Sequence, residues 1–181
     1  MLLLLLACPS KDRVPLFGDS SVEVCASPRT ETVAVVIDGD TLDLETGERI
    51  RLLGVDTPEV HNVDTPECYG PEASEALKEL LPAGTEVRLT FDVDCTDVTD
   101  SARTLAYVYK LPQEVDTALE EPDPEVFVNE YMLEEGFAWL PENCAYLVDL
   151  IHEDSLRRAA ERAETEKKGL RAACETRGEC D

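Results

Sequence analysis

Three short segments with strand character follow one another between residues 32 and 55, separated by tight-turn signals. The first reads TVAVVI (32–37) and is β-branched, the second reads TLDL (41–44) and alternates, and the third reads RIRLLGV (49–55). The sequences between them, DGD and ETGE, are typical of turns and hairpins. This part of the chain therefore predicts three consecutive strands joined by short turns.

The remainder of the chain predicts two more strands and three helices. The strands cover 85–93 and 103–110, and the helices cover 71–81, 126–138 and 153–170. Pro71 suits the first position of its helix, and Gly169 is the expected cap of the last helix. One helix between the third and fourth strands, with two helices at the end, predicts an α+β fold. We expect a five-stranded Greek-key β-barrel with three packed α-helices.

The charge of the chain is strongly negative. Its 181 residues include 40 acidic and 16 basic residues, for a formal net charge of −24. Charge of this size affects solubility, association and salt response more than fold, and it argues against non-specific adhesion to nucleic acid or anionic membranes. We interpret it as a solvated acidic surface, suited to high salt.

The N-terminal sequence MLLLLLACPS suggests export. Leu-Leu-Ala before Cys8 resembles a bacterial lipobox, although no basic residue precedes the short apolar run. A merely apolar N-terminus is the alternative. We expect an extracytoplasmic protein, secreted or lipid-anchored to the bacterial cell envelope through Cys8. The expected organisation is a lipoprotein signal remnant (1–8), a polar tether (9–30), one folded domain (31–172) and a cysteine-containing tail (173–181).

The seven cysteines favour disulfides. Setting Cys8 aside leaves six, which fits three disulfides in an oxidising compartment. Spacing does not fix their connectivity, and Cys68 with Cys95 is our first expectation. Zinc is less favoured, because the sequence has no C-x₂-C pair and its two histidines, His61 and His152, are far apart.

Six polar residues stand at predicted strand ends and turns: Asp38, Asp40, Asp56, Thr57, Glu59 and Arg103. A seventh, Arg51, lies within the third predicted strand. Carboxylate and carbonyl oxygens suit Ca²⁺, with waters completing its coordination. Arginines grip phosphate oxygens with two parallel hydrogen bonds, and a carboxylate beside a proline can activate a water. Together these groups are the parts needed to hydrolyse a phosphodiester. Asp38 alone is interpreted as a turn-capping residue.

Longer motifs resemble the staphylococcal nuclease family. The sequence VIDGDTLDLETGERIRLLGVDTPE (36–59) is similar to the family's first motif, and CYGPEASEAL (68–77) continues it. RTLAYVY (103–109) resembles its second arginine strand, and 128–138 and 152–170 resemble its last two helices. The resemblance implies an OB-fold barrel and a Ca²⁺-dependent nuclease that cleaves the 5′-O–P bond of DNA and RNA, leaving 3′-phosphates.

The resemblance also implies roles for individual residues. Asp40, Asp56 and Thr57 would bind the metal. Arg51 and Arg103 would stabilise the phosphate in the transition state, and Glu59 would be the general base. These assignments come from matching the family motifs position by position.

The pentapeptide V-D-T-P-E occurs twice, at 55–59 and at 63–67. The first copy follows a predicted strand, so we expect it to carry the catalytic residues. The second lies in the loop before the first helix, where Asp-Thr-Pro-Glu is common turn chemistry. Asp64 and Glu67 are expected at the surface, with a peripheral role at the site left open.

The sequence also departs from the family. The segment TDVTDSAR (96–103) is longer than usual and lacks the aromatic residue and the glycine before Arg103, and Arg171 stands where relatives often have Trp. Few cations are present to neutralise phosphates, so affinity for long duplexes should be low. We expect a monomer acting on single-stranded DNA or RNA. The alternative is a non-catalytic OB-fold binding module on the cell surface.

Overall fold

A computed structural model describes residues 24–61, 64–93, 102–112, 124–141 and 150–174. Its strands are β1 (Arg29–Val36), β2 (Thr41–Leu44), β3 (Arg49–Leu52), β4 (Glu86–Thr90), β5 (Arg103–Lys110) and β6 (Val126–Phe127). Its helices are α1 (Gly70–Leu80), α2 (Val128–Glu134), α3 (Glu153–Glu166) and α4 (Leu170–Ala173). In these parts of the chain, no helix is long and apolar enough to cross a membrane.

The first five strands form a closed barrel. They are ordered β3-β2-β1-β4-β5, and β3 also pairs with β5, which joins the two edges. The β3–β5 pairing is parallel, whereas the others are antiparallel. The short strand β6 pairs antiparallel with the C-terminal end of β5. This confirms the predicted α+β architecture, a five-stranded OB-fold barrel with packed helices.

The β3–β5 pairing is stabilised by the apolar core of the barrel and by hydrogen bonds from α2. Ile50 and Leu52 of β3 are buried in the apolar core. Asn129 of α2 is also fully buried, and its Nδ2 donates to the Leu53 carbonyl at 2.9 Å. Its Oδ1 accepts from the Val108 amide of β5 at 2.9 Å. The helix is therefore hydrogen-bonded to the barrel where β3 leaves it, close to the predicted site.

Some element boundaries differ from those predicted. The third strand ends at Leu52 rather than residue 55, because Gly54 (φ +75°) turns the chain. The last long helix stops at Glu166, since Lys167 adopts a left-handed conformation (φ 52°), and Leu170–Ala173 forms a separate short helix. Apolar periodicity predicts that residues are helical, but it does not reveal one residue that leaves the helical conformation.

Two other differences concern the start of elements. The helix predicted from residue 126 begins at Val128, because the two residues before it pair with β5 as β6. β1 begins at Arg29, opposite Leu89, and Val24 is buried. The last residues of the expected tether therefore pack against the barrel.

The predicted disulfide between Cys68 and Cys95 is wrong. Cys68 is bonded to Cys174, with an S–S distance of 2.13 Å across a separation of 106 residues. The reason is tertiary: the chain returns through α4 so that its end meets the segment leading into α1. Cys25 is also disulfide-bonded.

Candidate active site

The carboxylate of Asp40 is held at the start of β2 by three hydrogen bonds. Its Oδ2 accepts from the Thr57 amide at 2.8 Å and from the Thr57 hydroxyl at 2.7 Å. Its Oδ1 accepts from the Thr41 hydroxyl at 3.0 Å. Asp40 is only 1% exposed. The carboxylate is thus fixed by Thr41 of β2 and by Thr57, which follows the turn after β3.

The guanidinium of Arg51 lies between two carboxylates. Its Nη1 forms an ion pair with Asp40 Oδ1, and its Nη2 donates to Asp56 Oδ1 at 3.0 Å. The Arg51 side chain is 10% exposed, so this contact is largely shielded from water. Carboxylates from the start of β2 and from the end of the β3 turn therefore converge on one positive charge.

The backbone of Asp56 is fixed by a short bridge to Trp139. The Asp56 amide donates to the Trp139 carbonyl at 3.0 Å, and the Trp139 amide donates to the Asp56 carbonyl at 2.7 Å. The Arg171 guanidinium lies over the Trp139 ring, 4.5 Å from its centroid, and Nη1 donates to the Ala138 carbonyl at 2.7 Å. Trp139 is half-buried at this bridge, and Arg171 of α4 supports its ring.

Gly39 allows Thr57 to approach Asp40. A Cβ atom at Gly39 would lie 2.7 Å from Thr57 Cγ2, too close for any residue with a side chain. The neighbouring Asp38 accepts from the Asp40 amide at 3.1 Å, as expected of a turn-capping residue. Burial raises the pKa of the Asp38 carboxyl, while Arg51 opposes that increase.

The structure places Arg103 on the same wall of the barrel as Arg51. Arg103 opens β5 opposite Arg49, and Arg51 is opposite Leu105. Because alternate residues of a strand share one face, Arg103 projects from the face that carries Leu105 and Arg51. The two arginines assigned to the phosphate are therefore on one face of the parallel β3–β5 pair.

Glu59 is half-buried, three residues beyond Asp56. Its amide donates to Glu67 Oε2 at 3.0 Å, and its carbonyl accepts from the Glu67 amide at 2.8 Å. Four predicted site residues are thus in direct contact: Asp40, Arg51, Asp56 and Thr57. Glu59 follows them along the chain, and Arg103 shares the face of Arg51.

The converging oxygens fit a hard cation. Asp40 and Asp56 share one guanidinium, so a positive charge is already stabilised between their carboxylates. Calcium requires six to eight oxygen ligands, and waters commonly supply several of them. Within the described ranges, no cluster of three or more His, Cys, Asp or Glu could hold a metal. The carboxylates of Asp40 and Asp56, with the Thr57 carbonyl that the family motif implies, are oxygen types that suit a cation that keeps most of its water.

One protein family matches the part of the chain that carries most of this site. The family model described as Staphylococcal nuclease homologue matches residues 49–172, more than half of the chain. The chain therefore belongs to the staphylococcal nuclease family.

Two curated relatives are named Thermonuclease. The protein from Staphylococcus intermedius is 45% identical over 99 residues, which cover 51% of this chain and 55% of the relative. The protein from Staphylococcus hyicus is 41% identical over 88 residues, covering 46% and 50%. The chain spans about half the length of the curated relatives it matches.

Sequence reasoning did not identify two polar contacts. Asp64 and Glu67 are exposed, as predicted, but Glu67 also binds the backbone of Glu59. The repeat of V-D-T-P-E was the only sequence signal for that contact. Asp92 is buried in a hydrogen-bonded cluster that no motif marks. The altered segment before Arg103 lies almost wholly outside the described residues.

Proposed function

We propose that this chain is an extracytoplasmic, Ca²⁺-dependent nuclease that hydrolyses the phosphodiester bonds of DNA and RNA. The observation that carries the proposal is the guanidinium of Arg51 between the carboxylates of Asp40 and Asp56. This arrangement places a guanidinium that can bind phosphate beside carboxylate oxygens that can bind a metal ion, in a site largely shielded from water. Membership of the staphylococcal nuclease family supports the same reaction class.

In the proposed reaction, Glu59 accepts a proton from a water whose oxygen attacks the phosphorus. The P–O5′ bond breaks, the 5′ oxygen takes up a proton from solvent, and the phosphate remains on the 3′ oxygen. Arg51 and Arg103 neutralise the charge that develops on the phosphoryl oxygens. Asp40, Asp56 and Thr57 would hold Ca²⁺, and the bound ion would supply Lewis-acid polarisation of a phosphoryl oxygen.

The protein's charge bears on its substrate. A chain of net charge −24 repels a polyanion, so short or single-stranded substrates should be bound more readily than long duplexes. We therefore propose single-stranded DNA or RNA as the preferred substrate of a monomeric enzyme. Added salt should first raise the rate by screening this repulsion. A rate that only falls from the lowest salt upward would contradict this part of the proposal.

The proposed location is supported by the cysteines. A disulfide between Cys68 and Cys174 is typical of an oxidising compartment. Lipidation of Cys8 in its lipobox-like sequence would anchor the domain to the cell envelope. Mass spectrometry of the protein from a bacterial membrane fraction tests the anchor, since an unmodified Cys8 there would exclude it.

The experiment that tests the activity measures acid-soluble nucleotides released from single-stranded DNA by the full chain. It is run with Ca²⁺, Mg²⁺ or EDTA, beside Glu59→Gln and the control Glu86→Gln, the same change at an exposed strand position. We expect calcium-dependent release that Glu59→Gln lowers by orders of magnitude and Glu86→Gln leaves intact. No release by folded, disulfide-bonded protein would instead indicate the non-catalytic binding module.

A further inference from the structure

We propose that Glu67, from the second V-D-T-P-E copy, is a positioning residue for Glu59. This inference rests on the proposed function, because it concerns how the proposed general base is held. In the repeat, Glu67 is the counterpart of Glu59 itself. The second copy thus keeps the glutamate but uses it on the backbone of the first copy.

Two reciprocal hydrogen bonds join the two glutamates. The Glu67 carboxylate accepts from the Glu59 amide at 3.0 Å, and the Glu67 amide donates to the Glu59 carbonyl at 2.8 Å. Both polar groups of the Glu59 backbone are therefore bonded to one residue. A hydrogen bond to a charged acceptor is stronger than one between neutral groups.

The segment that carries Glu67 is itself braced. The Glu67 carbonyl accepts from the Gly70 amide at 3.0 Å, which closes a tight turn immediately before α1. Gly70 packs so closely that a Cβ there would lie 2.8 Å from the Pro58 carbonyl oxygen and 3.0 Å from that of Glu59. The backbone of the first copy thus rests directly on the turn that presents Glu67.

Two further contacts tie this turn to the helical layer. Cys68, next to Glu67, forms the disulfide with Cys174 at the end of α4. Tyr69 has a positive φ of 70° and stacks on Phe137, with ring centroids 6.0 Å apart. A left-handed tyrosine persists only where its surroundings hold it. Glu67 is therefore presented by a rigid part of the fold, although its own side chain is exposed.

The consequence for the reaction is positional. Glu59 must hold its carboxylate within hydrogen-bonding reach of the attacking water, and its side-chain direction depends on its backbone. A general base misplaced by about 1 Å can lower the rate by roughly 100-fold. Glu67 touches neither substrate nor cation in this account. It acts through the Glu59 amide, so its loss should affect turnover rather than substrate affinity.

The test compares Glu67→Ala, Glu67→Gln and the control Asp64→Ala, which removes one negative charge from the same exposed segment. We expect Glu67→Ala to lower kcat roughly 10- to 100-fold with KM nearly unchanged. Glu67→Gln should recover kcat to within about threefold, because its amide oxygen can accept the same hydrogen bond. Asp64→Ala should leave kcat unchanged.

A second readout does not depend on activity. Hydrogen exchange of the Glu59 amide, measured by NMR on the full chain, should quicken in Glu67→Ala and stay slow in Asp64→Ala. Unchanged exchange together with an unchanged kcat would overturn the role of Glu67. If the wild-type protein has no nuclease activity but Glu67→Ala still quickens exchange, the contact stands and the proposed function fails. Equal losses of kcat in Glu67→Ala and Asp64→Ala would indicate a charge effect and overturn the inference.

Discussion

Two buried aspartates in this protein, Asp40 and Asp92, differ in the partners of their carboxylates. Asp40 is 1% exposed and Asp92 is 3% exposed. Asp92 accepts hydrogen bonds from neutral donors: the Tyr107 hydroxyl at 2.7 Å, the Ile151 amide at 2.8 Å and the Val93 amide at 2.8 Å. Asp40 also accepts neutral donors, but it shares the Arg51 guanidinium with a second carboxylate.

The difference separates a structural carboxylate from one in the proposed active site. The donors to Asp92 come from β5, from Ile151 two residues before α3 and from its own neighbour, so this aspartate joins separate parts of the fold. Burial and the bond to Asp92 both raise the pKa of Tyr107, which keeps that donor protonated. At Asp40 the charged partner is a guanidinium, a group that can also form parallel hydrogen bonds with a phosphate.

The largest effect is expected where the charged partner of Asp40 is altered. In Arg51→Lys, one ammonium cannot bridge two carboxylates or grip a phosphate with two parallel bonds. Turnover should fall by about 10² to 10³-fold, while the urea midpoint changes little. The matched control is Arg49→Lys on the same strand, where an exposed pair with Asp43 contributes little. Equal turnover in the two variants would remove Arg51 from the reaction.

Changing Asp92 should produce the reverse pattern. Asp92→Ala leaves the Tyr107 hydroxyl and the Ile151 amide without their acceptor inside the protein. Loss of buried hydrogen bonds of this kind should lower the free energy of unfolding by about 2–4 kcal/mol. Per folded molecule, kcat should be retained. Urea unfolding and active-site-normalised assays measure the two quantities, and a stable but inactive Asp92→Ala would contradict the structural role.

Two glycine substitutions compare a change beside Asp40 with a change away from the proposed site. In Gly39→Ala the new Cβ would press on Thr57, so calcium affinity and turnover should both fall, by about tenfold or more. Gly84→Ala meets nothing within 4 Å, but its φ of +89° disfavours a side chain. It should cost about 1 kcal/mol of stability and leave kcat unchanged. A Gly39→Ala enzyme with normal turnover would show that the Asp40–Thr57 contact is not needed.

The smallest expected effect is a pH dependence of stability caused by His152, which lies near Asp92. Burial against Tyr107 and Phe127 lowers the pKa of His152, although Asp92 and Glu130 favour its protonated form. The unfolded chain therefore binds a proton at higher pH than the folded one. Stability should decline as pH falls through about 6.5 toward the folded pKa. The free energy of unfolding, measured with urea between pH 5 and 8, should decline less steeply with falling pH in His152→Gln than in wild type. An identical slope in the two proteins would contradict this.

The parts of this molecule that could be predicted from sequence depend on local patterns. Alternating apolar residues predicted the barrel, and Asp40, Arg51, Asp56 and Thr57 lie together as their motif implied. The role of Asp92 depends on partners 15 and 59 residues away, which no spacing rule connects. The Cys68–Cys174 bond likewise joins residues separated by 106 positions. The contact from Glu67 to Glu59 joins residues eight positions apart, and the described residues between them have no regular secondary structure, so apolar periodicity gives no guide.

The most direct test of the contrast between the two aspartates is thermal unfolding of wild-type protein, Asp40→Asn and Asp92→Asn with increasing Ca²⁺. A ligand that binds only the folded state stabilises it by about 2.7 kcal/mol at 100 times its Kd. We predict that calcium raises the Tm of wild type and of Asp92→Asn, which starts lower, but not that of Asp40→Asn. An equal calcium-dependent rise in Asp40→Asn, or no rise in wild type, would contradict the account.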